Sequence, residues 1–335
     1  MALTELVRSR TSREAGWFLL ALAVSIVAAL LSPAWGHIAV LALLWATLGT
    51  AWNLMGGLTG LLSLGQAAFF GVGAYTSALL FVKLGITPWI GIFAAAAMGA
   101  VLALVIGWPT LRLSGPYFAL ATVAAPVILS AIAVANPDLT RGTLGVIIPF
   151  RPDPGTMVFT GQLPYVLVAA ALLAAAMAIM SAASRGRWRI RLTALRDDEN
   201  AARSLGIRTA RVKIGVTVVS GALTGMVGAV YAQYIAFITP TSVFSLDISI
   251  DAILVAVIGG IGGVRAGVVG GFVLVGLRQL VFQQFLGDYP GLDTLIIGSV
   301  LLVLVLVLYG RNGSLLRPLR LGRPGRRRRE TEEAA

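Results

Sequence analysis

Few side chains in this sequence could carry acid–base or ion-binding chemistry within its long apolar stretches. Asp247 and Asp251 are four residues apart, so a helix would place them on one side, with Arg278 as the only nearby candidate partner. Such a group could relay a proton within a membrane. Alternatively, the two acids cap a helix end at the membrane interface, which is the interpretation we favour. The single histidine, His37, falls at a predicted helix start.

Several other chemistries are excluded by what the sequence lacks. The chain contains no cysteine, so disulfides, thiolate metal sites and cysteine nucleophiles are ruled out. A phosphate-binding loop needs Gly-Lys-Ser/Thr, whereas the two lysines, Lys83 and Lys213, both follow valine. No cluster of His, Asp or Glu has catalytic spacing. We therefore expect the chain to be no enzyme and to bind no metal or cofactor itself.

One strongly polar segment, residues 185–213, interrupts the apolar runs, and nine of its residues are Arg or Lys. Within it, Asn200, Ala201, Ala202 and Gly206 have the spacing of a short helix closed by glycine. Three consecutive acids before the alanines would be favoured by the dipole at a helix start. Such a helix is suited to docking into another protein, although a solvated loop helix would show the same pattern.

The composition indicates a membrane protein that crosses the bilayer many times. Of 335 residues, 58% are hydrophobic and 12% are charged, and the mean hydropathy is +0.89. A spanning helix needs roughly 20 mostly apolar residues. We predict an all-α protein with about ten such helices, or eight or nine, the candidates being residues 16–34, 38–55, 58–82, 89–108, 116–135, 163–183, 214–237, 248–259, 264–286 and 292–309.

The basic residues predict the orientation. With the N-terminus in the cytoplasm, 22 of the 26 Lys and Arg residues fall on the cytoplasmic side, which requires an even number of crossings. The chain then divides into a cytoplasmic tail (1–15), a transmembrane domain (16–310) and a basic, disordered cytoplasmic tail (311–335). Residues 184–213 form a cytoplasmic loop, and residues 136–162, rich in proline, form an irregular extracytoplasmic loop. The arginines of the tail are best explained as a topology signal resting on anionic lipid.

Six glycines between residues 56 and 73 are too dense for an ordinary helix, since each costs about 1 kcal/mol relative to alanine. In a membrane they permit either close helix packing or a broken helix whose backbone lines a cavity. In the second case Ser63 and Gln66 would supply polar side chains. Tyr117 and Thr122, near a helix start set by Pro116, are likewise either interface anchors or part of such a lining.

Five segments resemble, in order, signatures of the branched-chain amino acid permeases of ATP-binding cassette (ABC) importers. They are GLLSLGQAAFFGVGAY (60–75), RLSGPYFALAT (112–122), LTRGTLGV (139–146), ALRDDENAARSLGI (194–207) and VIGGIGGVRAGVVG (257–270). Each is weak alone, but they follow the order of the family, and the resemblance runs from about residue 45 to residue 310. Within the family the chain resembles the LivM-type subunit rather than the shorter LivH-type subunit.

The resemblance implies a multi-pass subunit of a bacterial inner-membrane importer for leucine, isoleucine and valine. Its partners would be a LivH-type permease, two ABC ATPase subunits that bind ATP and magnesium, and an extracytoplasmic substrate-binding protein. Other amino acids, amides or urea, and small carboxylates are alternative substrates. A stand-alone ion-coupled carrier is an alternative of another class. Asn200 stands where the family often has glutamate, and Arg141 where it often has a small residue.

The resemblance and the residue patterns together give three sets of candidate site residues. The first would couple the chain to the ATPases: Arg196, Asp197, Glu199, Asn200, Ala201, Ala202 and Gly206. The second would line the translocation path: Ser63, Gly65, Gln66, Tyr75, Tyr117, Thr122, Thr140 and Gly142. The third would pack helices closely through small-xxx-small spacing, and one of its pairs could meet a sister permease: Gly221 with Gly225, and Gly259 with Gly263.

Overall fold

The structure is a computed structural model that describes residues 2–111, 116–149, 153–285 and 298–299. It separates into two units, residues 1–287 and residues 288–335. Of the second unit only residues 298–299 are described, and they are helical. The description below therefore concerns the first unit.

Helices make up most of the first unit. In chain order they are α1 (Ala2–Leu31), α2 (Pro33–Thr59), α3 (Gln66–Leu84), α4 (Pro88–Thr110), α5 (Pro116–Ala135), α6 (Pro137–Thr140), α7 (Gln162–Ala183), α8 (Gly186–Asp197), α9 (Glu199–Ser204), α10 (Thr209–Ile235), α11 (Pro240–Val243), α12 (Leu246–Gly259) and α13 (Ala266–Phe285). Two short strands, β1 (Val146–Ile147) and β2 (Phe237–Ile238), pair antiparallel.

Eight segments among the described residues are long and apolar enough to cross a membrane, and they belong to α1, α2, α3, α4, α5, α7, α10 and the pair α11–α12. A shorter apolar stretch, Ala266–Gln279, falls on the ninth predicted span. The tenth, residues 292–309, lies outside the described residues apart from 298–299. The prediction of an all-α polytopic membrane protein is confirmed.

Helix α2 is the centre of the bundle. Nineteen of its 27 residues are buried, whereas only 11% of the 18 spanning residues of α1 are buried. It packs against α13, α7, α10, α12 and α1, and Leu43, Leu44 and Trp52 are almost fully enclosed. A helix that is apolar on all sides in this way has to be surrounded by other helices.

Glycines bring the neighbouring helices into backbone contact. A Cβ atom at Gly73 in α3 would collide with the backbone of Gly225 in α10, and one at Gly99 in α4 would collide with the backbone of Gly221. Gly221 and Gly225 thus lie where close packing was predicted, with α10 between α3 and α4.

The second predicted glycine pair does not form one helix face. Gly259 ends α12, and a Cβ there would collide with Ala266 at the start of α13. Gly263, however, lies in the turn between these two helices, where a Cβ would meet only the carbonyl oxygen of Gly260 at 3.3 Å. The small-xxx-small spacing misled here because it crosses a helix end.

The glycine-rich stretch does contain a break. Instead of one span over residues 58–82, α2 continues to Thr59, and residues 60–65 run without helical structure to α3. Gly60, with φ of +74°, closes α2 through its N–H bond to the carbonyl of Gly56. Side chains satisfy two of the backbone groups that the break leaves without helical bonds: Trp52 donates to the carbonyl of Ser63 at 2.8 Å, and Thr122 accepts from the N–H of Leu64 at 3.0 Å.

The loop between α5 and α7 is more ordered than the prolines suggested. It contains α6, two 3-10 turns (Gly142–Leu144 and Pro154–Thr156) and β1, which pairs with β2 after α10. Val146, Met157 and Val158 are buried. Apolar residues among the prolines therefore fold the loop onto the end of the helix bundle.

We expect Gly228→Val in α10 to destabilise the chain strongly, because a Cβ at Gly228 would collide with the backbone carbonyl of Phe70. Overpacking of this kind typically costs about 1–3 kcal/mol. Gly215→Val on the same helix is the matched control, since nothing lies within 4 Å of a Cβ there. Thermal unfolding in mild detergent measures both; equal melting temperatures would contradict the packing described.

Candidate coupling site between α7 and α10

The polar segment folds into two helices, α8 and α9. Within α8, Leu192 and Leu195 are buried and hold the helix against the bundle, mainly against α2. Most of the remaining side chains, including Arg187 and Arg191, are exposed. This amphipathic division fixes the position of α9 at the end of α8.

The short helix α9 is closed at both ends by specific hydrogen bonds. Asp198 is its N-cap, and one carboxylate oxygen accepts from the N–H groups of Asn200 at 2.8 Å and Ala201 at 3.0 Å. At the other end Gly206 has a φ of +79°, and Ile207 donates to the carbonyl of Ala202 at 3.1 Å. This is a Schellman closure. A helix of six residues would not persist in isolation, so these caps define it.

Two candidate residues lie differently from what the sequence suggested. Asp197 is the last residue of α8, not part of the start of α9. Ala202 is only 1% exposed and faces its own chain, so it does not present a small side chain to a partner. Ala201 is exposed, and the neighbouring Leu205 is 78% exposed. The accessible tip of α9 therefore includes Ala201, Leu205 and Gly206, with Arg203 and Ser204 exposed beside them.

Glu199 ties α9 to α10. One of its oxygens accepts from Lys213 at 2.6 Å and the other from Arg203 at 2.8 Å. Partial burial alone would raise the pKa of Glu199, but hydrogen bonds and charge from Lys213 and Arg203 outweigh it and lower the pKa. Asn200, where an acid was expected, is exposed and makes no ion pair. The neighbouring Glu199 supplies the ionic contacts.

Arg196 connects α8 to the bundle at the C-terminal end of α2. Its guanidinium donates to the carbonyl of Gly57 at 3.0 Å. One turn earlier, the amide of Asn53 accepts from the N–H of Gly262 at 2.8 Å and donates to the carbonyl of Gly263 at 2.9 Å. Sequence analysis missed Asn53. We call this set, Asn53, Gly57, Arg196, Gly262 and Gly263, the α2 joint.

Gln66, a candidate for the translocation path, is fully buried and has both ends of its amide occupied. It donates to the hydroxyl of Ser220 at 3.0 Å and accepts from that of Thr224 at 2.8 Å. Ser220 in turn donates to the carbonyl of Ala51 at 2.7 Å, and Ser249 accepts from the N–H of Ala67 at 2.9 Å. This buried polar network links the start of α3 to α2, α10 and α12. Sequence analysis did not identify its three hydroxyl residues.

The other path candidates fall into separate places. Ser63, Gly65 and Thr122 lie together, because Thr122 of α5 accepts from the N–H of Leu64 at 3.0 Å. Tyr75 is buried and stacks on Phe244, with ring centroids 5.9 Å apart.

The remaining three candidates are apart from this group. Tyr117 is 69% exposed on α5. Thr140 and Gly142 lie in the loop after α5, where the Thr140 hydroxyl donates to the carbonyl of Asn136 at 2.8 Å and accepts from Gly142. In this conformation the eight residues do not form one open site.

The two acids of α12, Asp247 and Asp251, have different surroundings. Asp247 lies in the first turn of α12, where the dipole favours it and Ser245 donates to its carboxylate at 2.8 Å. Asp251 is 2% exposed, and its two oxygens accept from Arg278 at 2.6 and 2.7 Å, with Trp45 donating at 2.9 Å. The predicted cap is therefore wrong for Asp251, whose buried carboxylate forms an ion pair with the partly exposed Arg278.

Among the described residues, no group of three His, Asp or Glu side chains is placed to hold a metal ion. The charged groups that are close together instead form ion pairs: Glu14 with Arg185, Glu199 with Arg203 and Lys213, and Asp251 with Arg278.

Comparison with known proteins gives consistent matches. The sequence model of the family described as "Branched-chain amino acid transport system / permease component" matches residues 34–308. The high-affinity branched-chain amino acid transport system permease protein LivM of Escherichia coli is 29% identical over 314 residues, covering 86% of this chain and 72% of that protein. The protein of the same name from Salmonella typhimurium is 28% identical over 318 residues, with the same coverage.

We expect Glu199→Gln to loosen α9, because it removes the charge that Lys213 and Arg203 contact. Hydrogen–deuterium exchange at residues 200–206 should rise severalfold, and Asp138→Asn, an acid in the loop after α5, should leave it unchanged. In the wild type, residues 200–206 should be fully protected from exchange above the ordinary glutamate pKa of about 4.3. This protection should be lost as the pH falls through the lowered pKa of Glu199. Unchanged exchange in Glu199→Gln would contradict this role.

Proposed function

The chain belongs to the branched-chain amino acid permease family, and on that premise we propose that it is one membrane-spanning subunit of an ATP-driven importer for leucine, isoleucine and valine. It is a multi-pass inner-membrane transport subunit. In the proposed complex it pairs with a related permease and works with two ATPase subunits and an extracytoplasmic binding protein. The basic face that carries α8 and α9 is cytoplasmic.

The observation that carries the proposal is the way α9 is built. Its tip is exposed at Ala201, Leu205 and Gly206, while its base is held by ion pairs and by a buried alanine. A helix that only lies in a solvated loop would need neither caps at both ends nor an ion pair with a nearly buried lysine. A helix that is held rigidly at its base and exposes apolar side chains at its tip can bind a partner and transmit the partner's movement to the bundle.

Two routes would carry movement of α9 into the membrane. Glu199 and Lys213 connect it to α10, which packs closely against α3 and α4. Through α8, Arg196 connects it to α2, and Asn53 of α2 connects in turn to the turn between α12 and α13. Closure of the ATPases on ATP would thus shift α10 and the α2 joint together, opening one side of the path and closing the other.

The energy would come from the partner subunits, which would hold ATP and magnesium. The sequence has no phosphate-binding loop. Among the described residues the one deeply buried acid in a span is Asp251, and both of its oxygens are occupied by Arg278. A stand-alone carrier driven by protons or sodium would need such an acid to exchange ions, so this geometry favours the ATP-driven alternative.

The cargo is inferred from the family and from the relatives' names. Other amino acids, amides or urea, and small carboxylates are the alternatives. Residues 60–65, where the helix is broken, remain our proposed place for the path, together with Ser63, Gly65, Gln66 and Thr122. Because Gln66 is bonded to Ser220 and Thr224, cargo would reach it only when α3 and α10 separate.

We expect Leu205→Asp to weaken binding of the ATPases about tenfold or more without unfolding the chain. Leu205 is 78% exposed at the tip of α9, and loss of a central apolar contact typically costs about 2 kcal/mol or more. Co-purification from membranes in mild detergent should recover about tenfold less ATPase, and uptake of labelled leucine should fall with it.

Leu144→Asp is the matched control, since Leu144 is 81% exposed in the loop at the opposite end of α7. It should retain the ATPases. If no ATPase co-purifies with the wild type and the purified chain transports by itself, the stand-alone carrier replaces this proposal. Normal ATPase recovery with Leu205→Asp would contradict the assignment of the tip of α9 as the docking surface. Ala202→Arg is unsuited to this test because Ala202 is buried.

A further inference from the structure

A strongly basic cavity of about 620 Å³ lies between α1, α8 and the turn that joins α12 to α13. Arg185, Arg189, Arg196 and Arg265 line it, and Glu14 is the only acid among the lining residues. Four cations facing one anion leave an excess of positive charge. Such a cavity attracts a negatively charged group.

The cavity is a consequence of helix geometry. Arg185, Arg189 and Arg196 follow one another at intervals that place them on one side of α8. Arg265 immediately precedes α13, a helix of 20 residues whose N-terminal end carries partial positive charge and lies at the same wall.

Two of the four arginines are already engaged. Arg185 forms an ion pair with Glu14 at 2.8 Å, and Arg196 donates to the carbonyl of Gly57. Arg189 and Arg265 are exposed and are the cations free to contact a ligand, as judged from the interactions of the described residues. The ligand would therefore carry at least one negative charge and sit between α8 and the start of α13.

A second, apolar groove of about 240 Å³ adjoins this cavity between α1 and α7. Phe18, Ala174 and Met177 are among its lining residues, and it shares Glu14 and Val264 with the basic cavity. Helix α1 is mostly exposed along its span, so the groove opens toward lipid. Trp17 lines the basic cavity at the level where tryptophan commonly marks the membrane interface.

We propose that the basic cavity and the apolar groove together form a binding site for one anionic phospholipid. The headgroup phosphate contacts Arg189 and Arg265, and an acyl chain lies in the groove between α1 and α7. A soluble anion would use the basic cavity alone, whereas the continuous groove fits a molecule with both parts. The bound lipid joins α1 and α8 to the turn of the α2 joint. This inference does not depend on the proposed function.

Native mass spectrometry of the full-length chain, purified in mild detergent, tests the site. We expect about one anionic phospholipid to remain bound to the wild type, and retention to fall about tenfold or more in Arg189→Gln/Arg265→Gln. Arg187→Gln/Arg191→Gln is the matched control, because it removes the same charge from other positions of α8 that do not line the cavity. The control should retain the lipid.

A second measurement keeps the test decisive if the variant folds poorly. Phosphatidylglycerol added to the wild type should raise its melting temperature above that with phosphatidylcholine, and millimolar inorganic phosphate should not reproduce the shift. No retained lipid together with no selective stabilisation would overturn the proposal, as would equal loss in the control. Displacement of the lipid by inorganic phosphate would instead identify a site for soluble anions and also overturn it.

Discussion

The α2 joint is the constraint on which the rest of the structure depends. Helix α2 is enclosed by its neighbours, and at its C-terminal end polar backbone groups would otherwise stay unsatisfied in an apolar setting. Asn53 satisfies the turn between α12 and α13, and Arg196 satisfies the end of α2 itself. The central helix, the last described helices and the polar segment therefore cannot move independently. Removal of the Asn53 or the Arg196 side chain would leave a partly buried backbone group without its hydrogen bond.

Much of this architecture could be predicted from the sequence, because the bilayer permits few alternatives. Apolar runs of spanning length gave the helices. The dense glycines left close packing and a broken helix as alternatives, and the structure has a break at residues 60–65. The glycine after α9 and the acids before it predicted a short capped helix, and the structure has Gly206 and Asp198 as its caps. Each of these features follows from local chemistry of the chain.

What could not be predicted depends on which helices become neighbours. Ala201 and Ala202 look alike in sequence, yet only Ala202 is turned into the bundle. Asp251 resembled a cap until α13 placed Arg278 beside it and α2 added Trp45. Gln66 looked available to cargo, but α10 occupies both ends of its amide. In each case a contact between residues distant in sequence overrides the local pattern.

The central claim, that the tip of α9 meets an ATPase subunit, has a direct test because the chain contains no cysteine. With Leu205→Cys as its single thiol, a thiol-reactive photo-crosslinker applied to native membranes should join this position to one protein, identified by mass spectrometry. We expect this protein to be an ATPase subunit with a phosphate-binding loop. Labelling of this cysteine from the outside by a membrane-impermeant reagent, or no crosslinked protein in transporting cells, would contradict it.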